Sequence, residues 1–265
     1  MFKVKRINIL FLIFSIVLIV SCTSQKELAY LNNLPEDETF FPIEVPDYII
    51  KTRDVLYITV KAMSLDGFIN DLLIPSRTSS NQYIASSEAG NYLYGYDVDE
   101  LGNILLPVIG TVKVGGLTVD EARIAVQAAA DKVFNNTTVE CKLLSFKFTV
   151  IGEVKSPGTY VNYYNYLTVF EAIGRAGGVN DYGRRDKVQI IRPFEGGTKT
   201  FILSLQDKEL LSSEAYFLLP NDVVIVEPQR KKIFNLNLST YSFLVSSITS
   251  AITSTILIIN YINNR

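Results

Sequence analysis

The side chains able to do chemistry in this 265-residue chain are few, and their types exclude more than they offer. There is no His, and the only Cys residues are Cys22 and Cys141. Ser-His and Cys-His nucleophile pairs, imidazole proton shuttles and His-containing zinc sites are therefore ruled out. Asp97, Asp99 and Glu100 are the most suggestive acid group. A carboxylate pair could serve glycoside cleavage, but three acids beside the turn Leu101-Gly102-Asn103 read as a solvated loop. Tyr160, Tyr163, Tyr164 and Tyr166 could stack on a sugar, and the preferred reading is half-buried strand and loop packing. Cys141 falls in an alternating strand pattern and reads as a small buried hydrophobe. No catalysis, no metal and no cofactor is expected.

Cys22 stands in a different context. Lys3, Lys5 and Arg6 precede an apolar run from Ile7 to Val20, which is the layout of an export signal over residues 1–21. Ile19-Val20-Ser21-Cys22 then resembles a bacterial lipobox, in which the Cys is acylated and becomes the new N-terminus. Two or more acyl chains give stable anchoring where one does not. Thr23 rather than Asp follows, so nothing resembles an inner-membrane retention signal, and the expected location is the outer membrane, facing the periplasm. Residues 22–45 read as a lipidated tether.

The opposite end poses a physical question. Ser239–Asn264 carries no charge, and Ser242–Ile262 as a helix would be about 30 Å long, the thickness of the hydrocarbon core of a bilayer. At about 100° per residue, Ser242, Ser246, Thr249, Ser250, Thr253 and Asn260 fall on one side. Leu244, Ile248, Ile252, Ile259 and Ile262 fall on the other, and Ile256 is grouped with them. Thr255 and Leu257 break the pattern. A hydroxyl stripe suits either close helix–helix packing or the wall of an aqueous pore. The pore reading is preferred, with the first set lining water and the second facing lipid. One helix cannot enclose a pore, so this requires a ring of identical chains.

Stepping inward, the elements that would present such a helix are legible. Leu117–Ala122 (LTVDEA) and Leu167–Ala172 (LTVFEA) repeat one hexamer, and in each a Thr precedes a Glu by three residues, the spacing of a capping box. The expected helices run from about Val119 to Val133 and from Val169 to Ala176, the second stopped by Gly177-Gly178. Strand signals lie at Tyr48–Ile50, Val55–Lys61, Tyr96–Val98, Ile104–Leu106, Val112–Val114 and Thr138–Leu144. They resume at Phe148–Val154, Thr159–Val161, Lys187–Arg192, Lys199–Leu203 and Val223–Val226. Residues 62–94 read as a long, partly ordered excursion. Arg53-Asp54-Val55 and Asn221-Asp222-Val223 also echo each other, each a turn Asp before a strand. The fold class is α+β: an α/β domain over 46–145, a second domain over 146–228 and a helix over 233–265. Without residues 1–21 the chain has 22 basic and 27 acidic residues, a net of −5, so no nucleic-acid partner is expected.

In this order the features resemble the outer-membrane polysaccharide export lipoproteins, the Wza-like family. Tyr48–Val60 (YIIKTRDVLYITV) and Val98–Ala122 resemble the polysaccharide export sequence domain, and Phe148–Pro193 resembles the β-grasp SLBB module. The family often has Pro-Gly-Asp where Thr52-Arg53-Asp54 stands here. The resemblance implies a homo-oligomeric ring, octameric in well-described relatives, whose C-terminal helices form a barrel through the outer membrane. It further implies passive passage of capsular or exopolysaccharide, with an inner-membrane co-polymerase or tyrosine kinase docked at the periplasmic end. A lipid-anchored glycan- or ligand-binding module without a pore is the rival reading.

Overall fold

The structure, a computed structural model, describes residues 28–38, 40–63, 69–73, 95–194 and 196–263. The first module is built on β1 (Val55–Met63), whose Leu56, Ile58 and Val60 alternate into the core with no exposed surface. β6 (Thr137–Leu143) pairs antiparallel along it, from Leu56↔Leu143 to Ala62↔Thr137. Its other partners are β2 (Ile69–Asp71) and β3 (Tyr96–Asp97), both antiparallel. Part of the expected excursion is thus ordered: β1 runs on to Met63 and β2 folds back on it, while residues 64–68 and 74–94 lie outside the described residues. A hairpin of β4 (Asn103–Leu106) and β5 (Gly110–Lys113) leads to helix α1 (Val119–Ala130), whose Ala122, Val126 and Ala130 recur every four residues and are fully buried.

The second module has β7 (Lys147–Gly152), β8 (Gly158–Val161), helix α2 (Val169–Arg175), β9 (Gly183–Phe194), β10 (Gly197–Leu203) and β11 (Val223–Pro228). Its strand order is β10-β9-β11-β7-β8. β11 and β7 are parallel, and every other pair is antiparallel. β7 ends at Gly152, at φ +94°, where only glycine fits because a Cβ would lie 2.1 Å from the Val226 carbonyl oxygen. Phe148, Val150, Val188, Ile190, Val224 and Val226 pack under α2 as a separate core.

Both hexamers form the expected capping boxes. The Thr118 and Thr168 hydroxyls accept from the Glu121 and Glu171 backbone N–H groups, and each Glu carboxylate accepts from its Thr N–H, at 2.8 and 2.7 Å. Several assignments differ from expectation: β9 runs from Gly183 to Phe194 rather than over Lys187–Arg192, and β7 ends at Gly152 rather than Val154. α1 stops at Ala130, with Asp131 as its cap and Val133 closing a tighter turn onto the Ala130 carbonyl. Tyr48–Ile50 is not a strand, since only Ile49 bridges, to Thr118, before the chain turns at Arg53 with φ +69°. A 3₁₀ helix at Lys208–Ser212 had no sequence signal beyond its Asp207 cap.

The two sequence echoes are one packed unit used twice. In the first module Ile50 N–H donates to the Leu117 carbonyl at 2.9 Å, and in the second Leu218 N–H donates to the Leu167 carbonyl at 2.8 Å. Three residues after each donor comes a left-handed residue, Arg53 or Asn221, both at φ +69°. Next stands a buried Asp whose Oδ2 accepts a backbone N–H from three residues back, Lys51 for Asp54 and Leu219 for Asp222, both at 2.8 Å. The unit opens the first module and closes the second. The sheets around it differ, antiparallel throughout at β1 but with a parallel neighbour at β11.

Within the stretch expected to be a tether, Tyr30–Asn33 lies against the second module. Leu31 and Asn32 N–H groups donate to the Leu205 and Gln206 carbonyls at 3.0 and 2.7 Å. Asn33 exchanges side-chain bonds with Asp207 and the Lys208 N–H. The Tyr30 ring meets Phe170 edge-on and lies under the buried Arg185 guanidinium.

Candidate functional site

Helix α3 (Arg230–Asn263) starts directly from β11. Gln229 N–H donates to the Tyr182 carbonyl at 2.7 Å, and Lys232 pairs with Glu153, so the first turn is fastened to the second module. Thirty-four residues give a rod about 50 Å long. Its stretch Tyr241–Ile259 is long and apolar enough to cross a membrane, and none of it is buried against the rest of the chain. Leu244, Ile248, Ile252, Ile256, Ile259 and Ile262 are each more than half exposed. Such a continuous apolar surface demands lipid or other protein around it.

The hydroxyl stripe has its own internal bonding. Ser246 donates to the Phe243 carbonyl at 2.9 Å, Thr249 to Val245 at 3.0 Å, and Thr253 to Thr249 at 2.8 Å. Thr255, on the other face, does the same to Ala251. Donors satisfied this way can face water, lipid or another helix without an orphaned hydrogen. Ser242 and Ser250 are also exposed on α3, whereas the Asn260 side chain, Asn264 and Arg265 lie outside the described residues, as does Cys22 with residues 1–21.

A second polar feature lies at the seam between the modules. The Asp54 carboxylate accepts from the Tyr48 hydroxyl at 2.8 Å and the Ser145 hydroxyl at 2.9 Å, which ties the linker after β6 to the first turn. Burial first, and then the Asp54 charge, hold the Tyr48 hydroxyl well above the usual phenol range. Asp222 receives Arg192 through Nε at 3.1 Å and Nη2 at 2.8 Å, and Arg192 also reaches the Phe217 carbonyl. Burial pushes the Asp222 carboxyl up, against the pull of Arg192 and, more weakly, of Lys51 across the seam. Around these turns lie cavities of about 1030, 590 and 560 Å³ that share Lys51 and Pro193.

The remaining chemical candidates take structural places. Asp99 Oδ1 accepts the Leu101 and Asn103 N–H groups at 2.9 and 2.7 Å, the geometry of a turn. Tyr160 stacks on Phe148, Tyr166 meets Phe217 edge-on, and Tyr163 and Tyr164 are exposed. Cys141 sits in β6 opposite Ile58, and burial pushes its thiol up to about 12. Among the described residues no group of three His, Cys, Asp or Glu could hold a metal. The sequence had offered Asp54 and Asp222 only as turn residues, and their shared offset from a paired apolar segment was the available signal.

Two family profiles match in tandem: polysaccharide biosynthesis/export protein over residues 43–144, and the SLBB domain over residues 147–203. The chain belongs to the Wza-like polysaccharide export family. This is a family of export proteins, not of enzymes. The chain is 30% identical over 197 residues to the EPS I polysaccharide export outer membrane protein EpsA of Ralstonia solanacearum, covering 71% of this chain and 50% of that protein. It is 29% identical to the EpsA of Ralstonia nicotianae, over 71% of this chain and 49% of the relative. The chain thus spans about half the length of these export-family relatives.

Proposed function

We propose that this export-family chain is one subunit of a homo-oligomeric outer-membrane channel through which capsular or exopolysaccharide passes from the periplasm to the cell surface. The carrying observation is α3, a membrane-length helix whose span Tyr241–Ile259 is not buried among the described residues, fastened at its base to the second module. A single rod of this kind encloses nothing, whereas a ring of copies would turn the hydroxyl stripe toward a shared lumen and leave the isoleucine face to lipid. The names of the Ralstonia relatives support the outer-membrane placement and the exported polymer class. Acylation of Cys22 after removal of residues 1–21 would add a second attachment to the same membrane.

The second module reads as a β-grasp, supported by its parallel first and last strands side by side with α2 between the flanking hairpins. No bond is made or broken in this mechanism. The protein supplies a conduit, and an inner-membrane co-polymerase docked on the periplasmic end would supply the polymer. Electron microscopy of the full chain extracted in mild detergent tests the proposal. Rings with a central lumen are expected, and a monomer or dimer that conducts nothing in planar bilayers would refute it.

A further inference from the structure

Between the contacts at Leu31–Asn33 and the bridge at Ile49, the described chain passes from the second module to the first as an irregular arm. Every described residue from Leu34 to Asp47 is exposed except the half-buried Phe41. Phe40 is 86% exposed, beside Leu34, Ile43 and Val45. The arm carries Glu36, Asp37, Glu38, Glu44 and Asp47, and no Lys or Arg occurs from Leu28 to Ile50. An acidic, aromatic-bearing segment laid over the surface is poor use of apolar area unless something covers it.

The seam cavities have the opposite character. Exposed Lys51, Arg53, Lys113 and Lys147 line them. Of the acids that line them, Asp54 is buried under three donors and Glu214 is held by Lys199 at 2.8 Å, which leaves Glu100. Pro193 and the 69% exposed Phe194 give the groove an apolar patch. None of the described residues from Leu34 to Asp47 lines these cavities in its own chain.

We infer that the acidic arm of one copy docks in the basic seam groove of a second copy, with Glu36 and Glu44 toward the Lys and Arg rim and Phe40 against Pro193 and Phe194. The inference rests on the ring reading above and names its contact. Arm and groove are different surfaces of one chain, so their union is heterologous, the class of contact that generates rings when the rotation closes. Opposed charge fixes the register of such a contact and repels mispairing.

The test uses the full chain in mild detergent, with mass photometry as readout. Lys51→Glu with Arg53→Glu is expected to convert the oligomer to monomers, as is Glu36→Lys with Glu44→Lys, and the four changes together are expected to restore it. Lys113→Glu with Lys147→Glu gives the same loss without touching the Arg53 turn. Raising salt from about 0.1 to about 1 M, which shortens the screening length from about 10 to about 3 Å, should lower the oligomer fraction. Chains carrying only Glu44→Cys, mixed before assembly with chains carrying only Arg53→Cys, are expected to form a disulfide-linked pair. An oligomer indifferent to every reversal, with no cross-link, overturns the arm while leaving the ring intact. So does a groove that binds oligogalacturonate while assembly ignores the reversals. A wild-type chain that is monomeric removes both readings.

Discussion

At the scale of single residues, the two buried Asp side chains do the most. Asp222 is fully buried against an Arg192 that is itself 7% exposed, so Arg192→Met would strand a buried carboxylate. Loss of about 3 kcal/mol is expected in urea unfolding, because breaking one side of a buried pair leaves the other uncompensated. Asp54 instead borrows neutral donors, and its Tyr48 partner gives a pH signature. The folded pKa of Tyr48 lies above its unfolded value of about 10. Its contribution is therefore fully present below that pH and fades as pH rises beyond it, since the unfolded chain gives up the proton first. Thermal melts from pH 7 to 11 should show an alkaline loss that Tyr48→Phe diminishes.

At the scale of elements, α2 is only seven residues long and depends on its ends. Thr168→Ala removes the hydroxyl that accepts from Glu171 N–H, and about 1 kcal/mol of stability should go with it, with a similar cost for Thr118→Ala in α1. Denaturant midpoints measure both. In the proposed channel, helix α3 is judged by a different solvent. Lys at Ile252 or Ile259 would put a charge in hydrocarbon, costing about 2.5–3.5 kcal/mol at the helix centre, and membrane insertion measured by carbonate extraction should fall. Lys at Ser250 or Thr253 should spare insertion and change conductance or export. Equal tolerance at all four positions would defeat the two-sided assignment. These helices were readable in advance because caps and periodicity are local. The α1 end, Tyr48–Ile50 and the 3₁₀ turn were not, because long-range packing rather than nearby sequence set them.

At the scale of the molecule, the base of α3, the docked segment Tyr30–Asn33 and Gln206, the acceptor of Asn32, all lie on the second module. A chain truncated after Gln229 keeps both cores as described, since no described α3 side chain belongs to either. It should fold with an unchanged melting temperature yet fail to restore surface polysaccharide in a deletion strain, read by glycan staining. By itself the sequence determined what depends on composition and short spacing: no His chemistry, two capped helices, an uncharged membrane-length tail and a tandem family signature. It also contained the paired Asp turns, but their meaning waited for the tertiary structure. Hydrogen bonds from Ile50 to Leu117 and from Leu218 to Leu167 span 67 and 51 positions, and no local pattern encodes a contact across such distances. Only the folded chain could decide that two distant echoes form one unit, and that an acidic arm and a basic groove face solvent on the same subunit.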